Sequence, residues 1–267
     1  MQSVLRVILI FLLGPFLAVT ANAVTLDWDT ATWTPGSLAN SYDVDPGNAG
    51  NDVTVAVSGS TAQLQPSLVA PNPQTPAITT ALEGGLSPVQ KSLEIAVDFT
   101  NQTQSIVVTV NFAAGYTQGV QNVSFTLFDV DFANGGGSTF QDQISSIQAV
   151  GADGVTLVAP TITVGSDVLL TGTGLSQMAT GIATNADTGA TSGNGNVTIS
   201  FGATAISSFT FTYGSGSGTV ANPTYQHIAL DDISFTPVPE INPAWSALGS
   251  CLVAAALILR HSGKFRK

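Results

Sequence analysis

The side chains best able to hold a ligand in this 267-residue chain are aspartates. Asp129-Val130-Asp131 ends an alternating apolar run and enters a glycine loop, Asp142 follows, and Asp231-Asp232 interrupts the last such run. Hard cations take carboxylate and carbonyl oxygens from irregular loops, about six to eight at a time. Calcium is therefore the one cofactor these five aspartates suggest, with a solvated acidic surface as the competing reading. No EF-hand spacing is present. Catalytic chemistry is poorly provided for. His227 is the single histidine between residues 24 and 236, and Gly-x-Ser-x-Gly is absent, so a nucleophilic triad has no support. One histidine without a nearby cysteine falls short of a zinc ligand set. Glycoside hydrolysis needs two carboxyl groups about 5–10 Å apart across a cleft. The only glutamates of this region, Glu83 and Glu94, form no paired motif. No glycine pattern matches a phosphate-cradling loop. Trp28, Trp33, Tyr42, Tyr116, Tyr213 and Tyr225 could include a platform on which a sugar ring stacks, and most are expected as core or loop anchors.

The elements that must position these groups are strands. Leu93, Ile95, Val97 and Phe99 share one parity, as do Ile106, Val108, Val110 and Phe112, then Val123, Phe125 and Leu127. Val197 to Phe201, Phe209 to Tyr213 and Ile228 to Phe235 continue the pattern. Period-two alternation rich in Thr and Val, broken by Gly, Asn and Ser clusters, predicts antiparallel sheets with one buried face. Phe125, Leu127, Phe209, Phe211, Ile228 and Leu230 are the expected core, and Glu94 falls on an outward face. Ile233 and Phe235 have the opposite parity to Ile228 and Leu230, so a bulge at Asp231-Asp232 is needed to keep one face buried. The proline-dense stretch from Ser58 to Gln90 reads as a surface loop or irregular edge. No sustained helical period occurs between the two ends. The expected fold is all-β: an antiparallel two-sheet β-sandwich of jelly-roll type.

Charge divides the chain sharply. All seventeen acids except Glu240 lie between Asp27 and Asp232, whereas Lys91 is the only base there, giving this body a formal charge of −15. Such a surface excludes nucleic acid and anionic lipid as partners and favours cations or neutral molecules. The single cysteine, Cys251, lies in an apolar run near the C-terminus, so the body has no disulfide and depends on core burial.

The two ends carry addresses. Residues 1–23 have Arg6, an apolar run from Val7 to Val19, and Ala21-Asn22-Ala23, the layout of a secretory signal with a small-x-small cleavage site at Ala21 and Ala23. Residues 237–267 begin near Val238-Pro239-Glu240-Ile241-Asn242-Pro243 and continue as an uncharged apolar stretch, 244–259, read as a transmembrane helix. They end on Arg260, Lys264, Arg266 and Lys267. Basic residues beyond an apolar span stay on the cytoplasmic side. Sixteen helical residues reach about 24 Å, short of the roughly 30 Å hydrocarbon core, so spanning requires thinning or snorkelling. An ordinary C-terminal anchor would share this layout.

This tail resembles the PEP-CTERM sorting signal of Gram-negative bacteria, which joins a short Pro-Glu motif, an apolar helix and a basic end. Ile241 stands where the commoner form has a second proline, which returns here at Pro243. The resemblance implies export, recognition of the tail by an exosortase-type processing enzyme, residence in the inner membrane through the helix, and delivery to the cell surface or extracellular polysaccharide matrix. Separately, Ile228 to Phe235 resembles the closing strand of jelly-roll modules in exported bacterial proteins, carbohydrate-binding ones included. The expected domains are thus a signal peptide at 1–23, a β-sandwich at 24–236 and a sorting signal at 237–267. The expected function is an exported, non-enzymatic surface or matrix protein. The alternative is a carbohydrate-binding module, with or without calcium, and a glycan-cleaving enzyme comes third.

Overall fold

A computed structural model describes residues 22–135, 138–182, 189 and 191–239. Within them the chain is antiparallel β-structure, with two short 3-10 turns at Thr61–Gln63 and Gly174–Ser176. The strands divide into two layers. In the first, β2 (Ala39–Tyr42) pairs with β3 (Val53–Gly59), then β6 (Ser105–Phe112), β15 (Ile206–Ser215), β9 (Ser138–Gly151), β13 (Met178–Gly181) and β12 (Val168–Thr171). The long β9 also carries β8 (Phe132–Gly135) and β10 (Leu157–Val158). In the second layer, β4 (Ala77–Thr79) pairs with β5 (Ser92–Val97), then β16 (Gln226–Leu230), β7 (Val120–Phe128), β14 (Val197–Ser200) and β11 (Thr161–Val164). There β17 (Ile233–Pro237) continues the line of β16 beside β7 and takes β1 (Val24–Leu26) on its other edge. Among the described residues a single position, Ile206 opposite Val120, joins the named strands of the two layers by a backbone ladder.

What holds the layers together is the alternation visible in the sequence. Phe125 from the second sheet stacks on Phe209 from the first, with ring centroids 4.5 Å apart and planes 13° from parallel. Phe112 meets Phe235 at 5.0 Å, and Phe99 meets Tyr213 at 6.1 Å, both across the same gap. All six residues expected in the core are buried. Burying each such side chain contributes about 1.5–3 kcal/mol. Truncating a ring such as Phe209 to alanine would cost about 3–5 kcal/mol, because the packed neighbours cannot close the hole.

The bulge required by parity is present. Strand β16 ends at Leu230, β17 begins at Ile233, and Ile228, Leu230, Ile233 and Phe235 are all buried. The strand runs to Pro237, one residue past the expected edge of the body, and Val238 N–H still donates to Gly119 O at 3.1 Å. The Ser58 to Gln90 stretch is more than an exposed loop. It supplies β4 and lays Ala81 and Leu82 against Phe128 and Ala229 as a small second core. Gly84 at φ +56° crosses Phe128 so closely that a Cβ there would overlap the ring.

Candidate functional site

Three of the five aspartates expected at a cation site come together at one end of the sandwich. Asp129 ends β7 in a left-handed conformation, φ +65°, which turns the chain out of the strand. Asp131 and Asp142 then face each other where β8 folds back on β9. Asp131 N–H donates to Asp142 Oδ2 at 3.3 Å, and Asp142 N–H donates to Asp131 O at 2.9 Å. Tyr213, arriving on the inward face of β15, donates its hydroxyl to Asp142 Oδ1 at 2.8 Å. All three aspartates are buried. Burial and the neighbouring Asp131 and Asp129 charges push Asp142 well above the usual carboxylate range, against the lowering hydrogen bond from Tyr213. The Tyr213 hydroxyl is pushed up by burial and by the same carboxylates. Burial among like charges favours the neutral form of this carboxyl.

Two residues that sequence spacing did not connect to these aspartates complete the cluster. Glu94 is on the outward side of β5 as expected, yet it is fully buried. Thr79 of the adjacent β4 donates to its Oε2 at 2.9 Å. His227 reaches Glu94 Oε1 with Nδ1 at 3.0 Å and Asp129 Oδ2 with Nε2 at 3.3 Å. Burial alone would lower the His227 pKa. The Glu94 hydrogen bond and the Asp129, Glu94 and Asp131 charges outweigh it and raise it. For Glu94, burial raises the pKa, and hydrogen bonds from His227, Ser67 and Thr79 with the His227 charge bring it below the usual value. Both ring nitrogens face carboxylates, an arrangement that favours the protonated ring. Neither nitrogen is free to act as a general base toward a ligand.

The other two aspartates lie elsewhere. Asp232 Oδ1 accepts the Trp28 backbone N–H at 2.9 Å, and Asp231 O accepts Trp28 Nε1–H at 3.0 Å, so the bulge anchors the first tryptophan. Burial and the nearby Asp231, Asp27 and Asp29 charges push Asp232 up to about 6. Among the described residues no group of three or more His, Cys, Asp or Glu side chains has the geometry of a metal centre, and the calcium expectation rests on the sequence alone. Of the candidate stacking aromatics, Trp28, Trp33, Tyr42 and Tyr213 are buried, and Tyr116 packs against the core. Tyr225 is partly exposed, edge-on to His227 at 5.5 Å, with its hydroxyl donating to Pro66 O.

A second feature is the outward face of the first sheet. Its side chains stand in cross-strand rows. One row is Ala56, Thr109, Thr210 and Gln148; the next is Ser58, Val107, Thr212 and Ser145; a third is Thr54, Asn111, Ser208 and Val150. Further along, Gln143 Nε2–H donates to Thr180 Oγ1 at 3.1 Å. Leu157, Leu169 and Met178 on β10, β12 and β13 form an exposed apolar rim. None of these side chains is ionisable. The only charged residue on the strands of these rows is Asp142, which points inward. Sequence alternation marks only which side chains face away from the core; the cross-strand register shows which hydroxyls and amides line up.

Of the sorting-signal residues, Val238 is tied to the body as described and Pro239 is exposed. Glu240, Arg260, Lys264, Arg266 and Lys267 lie outside the described residues, as do the 244–259 span and Ala21 of the leader; Ala23 is described and exposed. Among the described residues no helix is long and apolar enough to cross a membrane.

The chain matches no protein-family model and no curated protein. Among solved structures it is similar to the carbohydrate-binding module CBM27-1 of Caldicellulosiruptor saccharolyticus in complex with mannohexaose. The identity is 13%, the coverage 83% of this chain and 100% of that one, and the TM-score 0.36. It is also similar to the mannan-recognising module TmCBM27, with 9% identity, coverage of 82% and 100%, and a TM-score of 0.32. A family 11 carbohydrate-binding module from Clostridium thermocellum, in complex with a mixed-linked tetrasaccharide, aligns at 13% identity, coverage of 83% and 99%, and a TM-score of 0.27. Likeness at this level assigns no ligand and no residue role to this chain.

Proposed function

We propose that this chain is an exported, non-catalytic carbohydrate-binding protein on a jelly-roll sandwich, delivered to the cell surface or matrix by its C-terminal signal. The observation that carries the reading is the outward face of the first sheet. Threonine and serine hydroxyls both donate and accept, and glutamine and asparagine amides do the same from two atoms. Rows of such groups complement the hydroxyls of a sugar chain, and the Leu157, Leu169 and Met178 rim offers apolar contact for its C–H surfaces. The buried cluster supports a non-catalytic role, because His227 is engaged at both nitrogens and Glu94 and Asp142 are sealed from solvent. Export and sorting are supported by the leader and by the Pro-Glu, apolar and basic layout of the tail. The test is co-sedimentation of the purified full chain with a panel of insoluble polysaccharides, followed by calorimetry on soluble fragments. Saturable binding to at least one polymer is the expected result, and failure across the panel ends this reading.

A further inference from the structure

We infer that the ligand of this face is an uncharged polysaccharide whose chain runs across the strands, along the rows rather than down them. The inference rests on the carbohydrate-binding reading and narrows it. Its first ground is charge. The body between residues 24 and 236 carries sixteen acids against Lys91 alone, yet the outward rows of β3, β6, β15 and β9 contain no ionisable side chain. A polymer bearing uronate or sulfate groups would meet the net negative field of the body with no cation on the face to offset it. A neutral polymer docks there without stripping water from any charge, the costliest part of burying a polar surface.

The second ground is register. Thr109, Thr210 and Gln148 sit directly opposite one another on three consecutive strands; Val107, Thr212 and Ser145 form the next row, with a register shift in β9 between Gln148 and Ser145. Neighbouring strands are about 4.8 Å apart, so Thr109, Thr210 and Gln148 present one polar group at roughly that interval. This is close to the length of a single pyranose in an extended chain. Down a strand, same-face side chains recur only every two residues, at about 6.8 Å, which falls out of step with successive sugars. The rows also lead from β3 towards the β12 and β13 edge, where Leu169 and Met178 are exposed.

The experiment uses the full chain, with a neutral β-linked glucan or mannan hexasaccharide and a polyuronate of similar length as probes. Thr210→Glu, at the centre of one row, should weaken neutral binding by about tenfold or more, because a charge would be buried without a partner. Thr126→Glu, on the outward face of the second sheet, should leave it unchanged. Gln148→Glu, in the Thr210 row, should weaken it as well, whereas Ser105→Glu, at the end of β6 and outside the three rows, should not. Thermal melts confirm that each variant is folded. Loss with Ser105→Glu but not with Gln148→Glu overturns the direction. Preference for polyuronate overturns the uncharged class. Neutral binding that survives Thr210→Glu overturns the face while leaving the carbohydrate-binding reading intact, and a wild-type chain that binds no polysaccharide removes both.

Discussion

His227 stands between Glu94 and Asp129, with Nδ1 3.0 Å from one carboxylate and Nε2 3.3 Å from the other. It thereby ties together β5, β16 and the end of β7 on the outward side of the second sheet. Removing it strands a fully buried glutamate. His227→Ala should cost about 2–4 kcal/mol in urea unfolding at pH 6, less than a wholly buried pair because the imidazole is partly exposed.

The same clamp fixes a pH dependence. His227 is raised, so its contribution is complete below the ordinary histidine value of 6.5 and fades as pH rises through its folded value. Glu94 is lowered, so its contribution is complete above 4.5 and fades as pH falls through its folded value. Unfolding free energy should therefore decline on the alkaline side in the wild type. In His227→Ala the part of that decline due to the imidazole should be lost, leaving the shallower slope set by the raised aspartates; an unchanged profile would show that the imidazole is not charged in the folded state.

Asp142 gives the opposite sign to Glu94. Its folded carboxyl is raised, so the native state holds a proton that the unfolded chain has released, and stability falls as pH climbs above 3.8. Asp142→Asn imitates the protonated form, with an oxygen for the Asp131 N–H and an amide N–H for the Tyr213 oxygen. It should match or exceed the wild type at pH 7 and flatten the slope. Tyr213→Phe should cost about 1–3 kcal/mol by leaving Asp142 without its hydroxyl donor.

Asp232 repeats this behaviour in a milder setting. With its carboxyl pushed up to about 6, its charge works against folding as pH rises from 3.8 through that value. Asp232→Asn keeps an acceptor for the Trp28 N–H and should stabilise the fold at pH 7 by about 1 kcal/mol, discounted for partial exposure. A loss of stability would mean that the anchor needs the charge itself.

Gly84→Ala tests whether the proline-dense stretch is a fastened cover. The backbone there is left-handed, and an added Cβ would overlap the Phe128 ring. A loss of about 1–3 kcal/mol is expected from thermal unfolding. A neutral result would mean that residues 81–85 lift from Phe128 without cost.

The sequence alone determined the sandwich. Phe125, Leu127, Phe209, Phe211, Ile228 and Leu230 announce themselves by parity, because a strand that buries one face must alternate at every second residue. The same rule demands the bulge at Asp231-Asp232. It was also enough to place Asp129 and Asp131 at a strand end and Asp142 shortly beyond. Tertiary structure decided which distant residues meet. Glu94 and His227 are 133 positions apart, and Tyr213 and Asp142 are 71 apart. No local spacing encodes either pair, since each depends on the order and register in which separate strands add to a sheet. It also separated Asp231 and Asp232 from the other three aspartates and turned them to Trp28, on the bulge side of β16. The row from Ala56 through Thr109 and Thr210 to Gln148 exists for the same reason. Alternation tells each residue which side it faces, but only the pairing of β3, β6, β15 and β9 tells it who stands beside it.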